Sequence, residues 1–375
     1  MISRRTALTT LAAAPLIGCG RPPSSPYALG RAYSRQPWAV PQIDRGNVIR
    51  EIVGHRPYRA SGFVVRAEPF DDKLVVHNYG HGGGGISLSW GSSALAVREL
   101  GDRPPGQAAV VGSGVMGLTS ARLLQDAGWQ VTIYTRSMAR HTTSNVAGGE
   151  WGPFSVYNPD AASPEFVARL GWAARVAHHA YTSLGGEDYG IRWLEHFALS
   201  DSPPAPALSG GGEDFADLMP YSADLPPGSH PFGNLHARRS VTMMIEPARL
   251  LRSLVRDFQL AGGRFVIRDF GDVGDVLGLE EAVIFNCTGL GAAALFGDTE
   301  LIPAKGQLVL LPPDPAIDYL TTGGGRGLLY LFPRSDVLLL GGTFKPGDGS
   351  THPEPEETER ILSEHVRLFE AFRAT

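Results

Sequence analysis

The stretch that most constrains this chain runs from Ala108 to Tyr134. Ala108–Val111 is a short apolar strand, and Gly112-Ser113-Gly114-Val115-Met116-Gly117 follows it. Leu118–Ala127 then has a helical pattern, and Gln130–Tyr134 reads as a second strand. A G-x-G-x-x-G between strand and helix is a βαβ phosphate turn. Gly112 permits the tight turn, Gly114 lets main chain approach a pyrophosphate, and Gly117 allows close helix–strand packing. The helix start, with Val115 and Met116, faces the anion. The pattern specifies an α/β fold with parallel strands and a dinucleotide ligand.

One partner of that motif is missing. An acid commonly ends the second strand and takes the ribose hydroxyls. Here Tyr134 is followed by Thr135 and Arg136. Thr135 is able to exchange one ribose hydrogen bond. Arg136 is placed to stack on an adenine or meet a phosphate, and equally to be a solvated loop arginine.

A second glycine-rich approach lies just upstream. Val75–Gly91 joins an apolar strand, two histidines and a tyrosine to four glycines, Gly82–Gly85, and a helix-like segment, Gly91–Leu100, follows. A glycine run taken alone is often a flexible loop. Two such approaches so close together point to one large phosphate-bearing cofactor. His141–Trp151 adds a loop of hydroxyls and small residues. Thr142, Thr143 and Ser144 suit phosphates, and Gly148-Gly149 suits close passage of a flat ring.

With 375 residues the chain holds two domains, or one large α/β domain with an inserted part. Net charge is −5 without a long basic run beyond the N-terminus, which speaks against a nucleic-acid surface. The two cysteines, Cys19 and Cys287, give neither a metal spacing nor a disulfide framework. Met1–Cys19 carries Ser3-Arg4-Arg5 before a short alanine-rich run, the pattern of a bacterial twin-arginine (Tat) export signal. Leu16-Ile17-Gly18-Cys19 resembles a lipobox, with Cys19 the lipidated residue. An ordinary secretory signal and an incidental cysteine are the plainer alternatives. The expectation is a periplasmic or membrane-anchored lipoprotein, with residues 20–42 as a Pro/Ser-rich tether.

Ile43–Arg59 reads as mixed and compact, ending in a turn; Gly62–Ala67 and Leu74–His77 read as strands, and Gly101–Gly106 as a linker. Ser163–Leu184 is a helix with Ser163 as N-cap, and His178-His179 its polar face. Asp188–Leu199, Tyr221–Arg239 and Thr242–Ile245 are strand-like. Glu246–Ala261 is an amphipathic helix, followed by strand Arg264–Arg268. Ala282–Thr288 is a buried strand ending at Gly289, with Cys287 a packed thiol. Gly306–Leu310, Leu328–Phe332 and Val337–Leu340 are short strands, and Pro353–Phe372 a closing helix.

Several blocks together resemble the D-amino-acid oxidase family of flavoproteins. They are Gly112–Gly117, Thr142–Gly149 with Trp151, Asn286–Gly289, Lys305–Gln307, Tyr330–Pro333 and Gly341–Thr343. Gly54–Arg59 and His77–Gly85 complete the set and are the most specific. The resemblance implies an FAD-binding Rossmann-like domain of the glutathione-reductase type, interleaved with a mixed-sheet substrate domain. The order of blocks differs from the family's, where the last two come at the end. This looks like a circular permutation. The expected division is 43–100 as the permuted segment, 107–160 as the FAD-binding βαβ, 161–240 as mainly substrate domain, 241–300 as FAD-binding again and 301–375 as substrate domain with the closing helix. Val48 and Phe372 should then lie within roughly 15 Å, a gap that about four or five extended residues cross.

The resemblance also implies roles. FAD would lie with its pyrophosphate on Gly112–Gly117 and Thr288-Gly289 nearby. Thr142, Thr143, Ser144, Gly148, Gly149 and Trp151 would line its ribityl and flavin parts. Gly82, Gly83, Gly85, Ile86 and Ser87 would approach the pyrimidine end of the ring. Arg56 would hold a substrate carboxylate, helped by Tyr330. Hydride would pass from the substrate Cα to flavin N5 without an essential side-chain base, yielding a 2-oxo acid, ammonia and, with oxygen as acceptor, hydrogen peroxide. Arg326 stands where that family has a lid tyrosine, and implies a broad or acidic D-amino-acid preference. A glycine/sarcosine-type oxidase, a membrane-linked dehydrogenase and an exported FAD-binding lipoprotein without turnover remain the alternatives; the oligomeric state is open.

Overall fold

The computed structural model describes residues 38–204, 215–219 and 221–373. The export and lipidation signals, Cys19 and most of the expected tether lie outside them. In chain order the strands are β1 (Arg50–Tyr58), β2 (Val64–Phe70), β3 (Lys73–Tyr79), β4 (Gln107–Val111) and β5 (Gln130–Thr135). Next come β6 (Ile191–Ser200), β7 (Ser222–Leu225), β8 (His236–Ile245), β9 (Arg264–Ile267) and β10 (Val283–Asn286). The last are β11 (Ile302–Leu311), β12 (Tyr319–Gly323), β13 (Tyr330–Pro333), β14 (Leu338–Gly341) and β15 (Lys345–Pro346). The helices are α1 (Gly85–Arg98), α2 (Val115–Asp126), α3 (Pro164–Ser183), α4 (Pro247–Leu260), α5 (Val273–Leu277), α6 (Gly291–Phe296) and α7 (Pro355–Arg373).

Six strands form a sheet in the order β2-β3-β10-β4-β5-β9. All neighbours are parallel except the β2–β3 hairpin. The central strands read as continuous apolar runs because both faces are covered. Val76, Val110 and Phe285 face the cluster under α1–α4, whereas Val75, Ala109 and Ile284 face α5 and α6. α3 is set by its first turn, where Ser163 Oγ accepts from the Phe166 N–H at 3.1 Å ahead of an N-terminal proline.

The second sheet is mixed, in the order β1-β11-β14-β13-β12-β6-β8-β7, with β15 beside β11. One of its faces, with Leu194, Met244, Leu308, Leu320, Tyr330 and Phe332, forms a separate apolar layer. The fold is therefore the expected α/β class with a dinucleotide sheet and an interleaved mixed sheet.

Several local readings need correction. Ile43–Arg59 does not end in a turn: β1 runs nine residues and pairs antiparallel with β11, from Arg50 opposite Leu310 to Tyr58 opposite Ile302. Pro57 hides it in the sequence, and is tolerated because β1 is an edge strand. β12 was not anticipated either. The glycine run is ordered, since Gly82–Gly84 makes a 3-10 turn leading into α1. Trp38 is not tether: its ring meets Phe197 at 5.2 Å and Tyr319 at 5.3 Å. His178 is not merely polar surface; its ring packs edge-on to Trp151 at 4.8 Å.

The segment before the phosphate loop serves both sheets, with β1 in the mixed sheet and β2, β3 and α1 in the dinucleotide sheet. Val48 packs on the cluster that contains Leu368 and Phe369 of α7. Arg45 Nε lies 3.4 Å from Glu359 Oε1, and Thr358 Oγ1 donates to Glu51 Oε2 at 2.9 Å. The start of the core thus lies against the closing helix; the side chain of Phe372 itself is outside the described residues.

Candidate active site

A cavity of about 810 Å³ opens at the carboxyl ends of β3, β10 and β4 and extends to the apolar face of the mixed sheet. Two helices begin at it, α1 after Gly84 and α2 after Gly114, and neither has a side-chain cap. Helix starts of this kind favour an anionic or electron-rich ligand; at α2 the first N–H, that of Val115, is taken by Ser144 Oγ. Gly112 has φ +109°, and a Cβ there would lie 2.5 Å from the Cys287 carbonyl oxygen. Only glycine lets β4 turn this close to the end of β10. Cys287 itself is buried, and burial pushes its thiol up to about 12. It is a packed, inert thiol.

The hydroxyls divide between ligand side and scaffold. Ser144 Oγ accepts from the Val115 N–H at 3.0 Å, joining the Thr142–Ser144 loop to the start of α2. Thr142 Oγ1 donates to the Ala139 carbonyl at 2.7 Å, and Thr135 Oγ1 to the Ser137 carbonyl at 2.6 Å. Thr135 also bonds Ser113 Oγ at 3.0 Å. Its hydroxyl therefore pins the phosphate turn more than it awaits a ribose. Arg136 lies exposed on the cavity rim, and Asp269 reaches the same rim from the loop after β9.

The polar residues of the His77–Gly85 block are mostly a brace. Asn78 Oδ1 accepts from Ser92 Oγ at 2.6 Å, and its amide donates to Ser93 Oγ at 3.2 Å and Ser120 Oγ at 3.1 Å. His81 Nε2 is 2.6 Å from Ser92 Oγ, and its ring stacks on Phe63 at 4.8 Å. Burial lowers His81 to about 3, so it is neutral. This buried network ties β3 to α1 and α2 and fixes the intervening glycines against the cavity.

At the mixed-sheet end, Arg56 projects from β1. Its Nη1 donates to the Thr343 carbonyl at 3.0 Å, and its guanidinium lies 5.6 Å from the Phe344 ring centre. No carboxylate pairs with Arg56 among the described residues. Tyr330 is buried, stacks on Phe332 at 4.6 Å and feels the Arg56 guanidinium close to its phenol. Burial raises Tyr330 above the usual phenol range while Arg56 opposes that rise. The phenol stays protonated, a donor beside a free cation.

A second polar group lines the same cavity and was not singled out in the sequence. Glu150 is buried, with its Oε1 3.4 Å from His196 Nδ1. His196 Nε2 is 2.8 Å from Thr322 Oγ1. Desolvation raises Glu150 to about 8 and lowers His196 to about 4. The signal was faint: a charged residue between Gly149 and Trp151, in a loop otherwise made of small and hydroxyl side chains.

Of the anticipated residues, Arg56, Tyr330, Gly82, Gly83, Gly85, Ile86, Gly112, Gly114, Val115, Met116, Thr135, Arg136, Thr142–Ser144, Gly148, Gly149, Thr288 and Gly289 all line this one cavity. Four do not. Gly117 packs under the phosphate turn, where a Cβ would lie 1.9 Å from the Gly112 carbonyl oxygen. Trp151 is buried behind the wall, and Ser87 Oγ accepts from the Gly152 N–H at 2.9 Å. Arg326 lies outside: its side chain is 81% exposed and its Nε donates to Glu364 Oε1 at 2.7 Å. Glu364 also accepts from the Arg326 N–H at 3.1 Å, and Arg360 Nη1 donates to the Arg326 carbonyl at 2.8 Å. These bonds hold the residue over α7, so it lends the cavity no cation.

A glycine-walled phosphate turn, two helix starts without side-chain N-caps and a long cavity ending at an arginine with no carboxylate partner among the described residues define a dinucleotide site. Residues 107–375 match the family model described as FAD dependent oxidoreductase (DAO). The chain is 32% identical over 268 residues to a protein from Streptomyces coelicolor named D-amino-acid oxidase, covering 70% of this chain and 78% of that one. It is 31% identical over 266 residues to one of the same name from Rubrobacter xylanophilus, covering 68% and 75%. Among solved structures it resembles glycine oxidase from Geobacillus kaustophilus with a TM-score of 0.51 at 18% identity, covering 71% of this chain and 79% of that one. The chain belongs to the DAO family of FAD-dependent oxidoreductases. The residues present fit that cofactor: the turn Gly112–Gly114 and the start of α2 line one end of the long cavity, together with Thr143 and Gly289.

Proposed function

We propose that this enzyme oxidises D-amino acids to imino acids, which hydrolyse to 2-oxo acids and ammonia, with oxygen as electron acceptor. The observation that carries the reading is Arg56, a guanidinium facing the cavity without a carboxylate partner and with the Tyr330 hydroxyl beside it. Such a fork holds a substrate carboxylate through two charge-assisted hydrogen bonds. Bound FAD supplies the hydride acceptor. Arg56 and Tyr330 fix the substrate by its carboxylate and so orient its Cα–H. The start of α1 supplies N–H groups that favour negative charge at the end of the cavity it faces. The buried layer of Leu308, Tyr330 and Phe332 keeps water from the reacting face.

The test is anaerobic mixing of the purified flavoprotein with D- and L-alanine while following flavin absorbance, then peroxide yield in air. Bleaching by the D-enantiomer with about one peroxide per turnover is expected. Bleaching only by glycine or sarcosine would move the enzyme to the glycine-oxidase type, and bleaching without peroxide to a dehydrogenase.

Two further readings accompany it. The family match beginning at residue 107, the placement of β1–β3 and α1, and the Val48–Phe369 cluster support a circular permutation. A chain rejoined with residues 43–100 after 375 should bind FAD; an insoluble product would count against it. The Met1–Cys19 segment supports Tat export with lipid at Cys19. Replacing Arg4-Arg5 by lysines should retain the protein in the cytoplasm.

A further inference from the structure

We propose that Glu150, His196 and Thr322 form the substrate side-chain subsite of this cavity and select D-amino acids with a cationic side chain. The proposal rests on Arg56 as the α-carboxylate anchor and adds the other end of the substrate.

Register places the group. Thr322 of β12 lies directly opposite Tyr330 of β13 in an antiparallel pair. Opposed residues of such a pair put their side chains on one face, with Cα atoms about 4.5–5.5 Å apart. Thr322 Oγ1 meets His196 Nε2 at 2.8 Å, and His196 Nδ1 lies 3.4 Å from Glu150 Oε1. A continuous polar path therefore runs from the Arg56–Tyr330 anchor to a carboxyl group, and all five residues line the cavity.

The surroundings make this group unusual. The same sheet face carries Leu194, Met244, Leu308 and Phe332. No lysine or arginine meets the Glu150 side chain among the described residues; the ionisable group beside it is His196. His196, held neutral by burial, supplies no charge. Ionising a buried carboxyl without a cation is costly, and its place on the cavity wall lets a bound ligand supply that cation. Arg326, which implied a broad or acidic substrate preference, points away. The cavity thus has a positive anchor at Arg56 and an acid beyond it, a polarity that matches a carboxylate and a side-chain ammonium or guanidinium. Burial keeps the acid protonated near neutral pH, and a bound cation draws it into the charged form with release of a proton.

The experiment compares kcat/KM for D-lysine, D-norleucine and D-glutamate, the first two being nearly the same length. Wild type should prefer D-lysine to D-norleucine. Glu150→Leu should reverse that ratio by about 100-fold, the scale for removing one partner of a buried charge pair. Glu150→Gln, which keeps the shape, should fall between them, and both variants should retain flavin. A D-lysine to D-norleucine ratio that stays within threefold of wild type in both variants overturns the subsite. So does a wild-type preference for D-norleucine or D-glutamate. In either case flavin bleaching by a D-amino acid leaves the oxidase reading intact, whereas no bleaching by any of the three sinks that reading and the subsite together.

Discussion

Substituting Gly306 tests the carboxylate anchor without touching it. Gly306 sits in β11 opposite Gly54, one pair away from the partner of His55 and two from that of Arg56. A Cβ on Gly306 would lie 2.4 Å from Arg56 Nη1 and 2.9 Å from its Cζ. An ordinary contact begins at 3.4 Å, so Gly306→Ala must push the guanidinium back by about 1 Å. Side chain and not backbone is in the way, which means that the strand can remain and the arginine gives. Misplacing a positioning group by about 1 Å costs about 100-fold in rate, equivalent to about 2.7 kcal/mol. The assay is peroxide formation with a reactive D-amino acid, together with flavin content and thermal midpoint of the same preparation. kcat/KM should fall about 100-fold with flavin content unchanged and the midpoint within a few degrees. A variant that keeps its flavin and loses less than threefold would refute Arg56 as the anchor.

Arg56→Ala removes the fork altogether and should lower kcat/KM by about 1,000-fold, from the loss of two charge-assisted bonds of about 1.5–3 kcal/mol each, while flavin binding persists; titration of a carboxylate inhibitor checks it. Asn78→Leu removes three buried hydrogen bonds, to Ser92, Ser93 and Ser120, and should destabilise by about 2–4 kcal/mol, read as a lowered denaturation midpoint with easier flavin loss. Glu150→Gln should change the pH profile of stability. Burial raises the folded carboxyl to about 8 from 4.5, so the folded protein holds a proton that the unfolded chain releases. Wild-type stability is then lost as pH rises from about 4.5 towards 8, and the Gln variant should flatten that decline in thermal midpoints at pH 5, 6.5 and 8. Equal slopes would contradict it.

What was legible in the sequence obeyed local rules. β4, the glycine turn, α2 and β5 follow from adjacent residues, because a turn so tight dictates its own glycines. α3 was readable from Ser163 and Pro164, and the flavin-facing blocks from their motifs. What was hidden depended on distant partners. β1 contains Pro57 and Gly54 and reads as a strand only beside β11. Arg326 looked like a site residue until Glu364, well along α7, drew it outward. Glu150 gains meaning only because β6 and β12, paired in parallel, bring His196 and Thr322 to it. Asp269 reaches the cavity rim from the loop after β9, a strand far from β5 in sequence though its neighbour in the sheet.

The placement of β1 bears on how the chain is made. Arg56 finds its partner Ala304 roughly 250 residues later, and β3 waits for β10 almost as long. At about 5–20 residues per second on the ribosome, the first strand emerges roughly 12–50 s before the strand that will hold it. During that interval the anchor arginine and the edge of β3 that will pair with β10 have no permanent partners. A chaperone that shields the nascent N-terminal third should therefore raise the yield of active enzyme more than one acting after release.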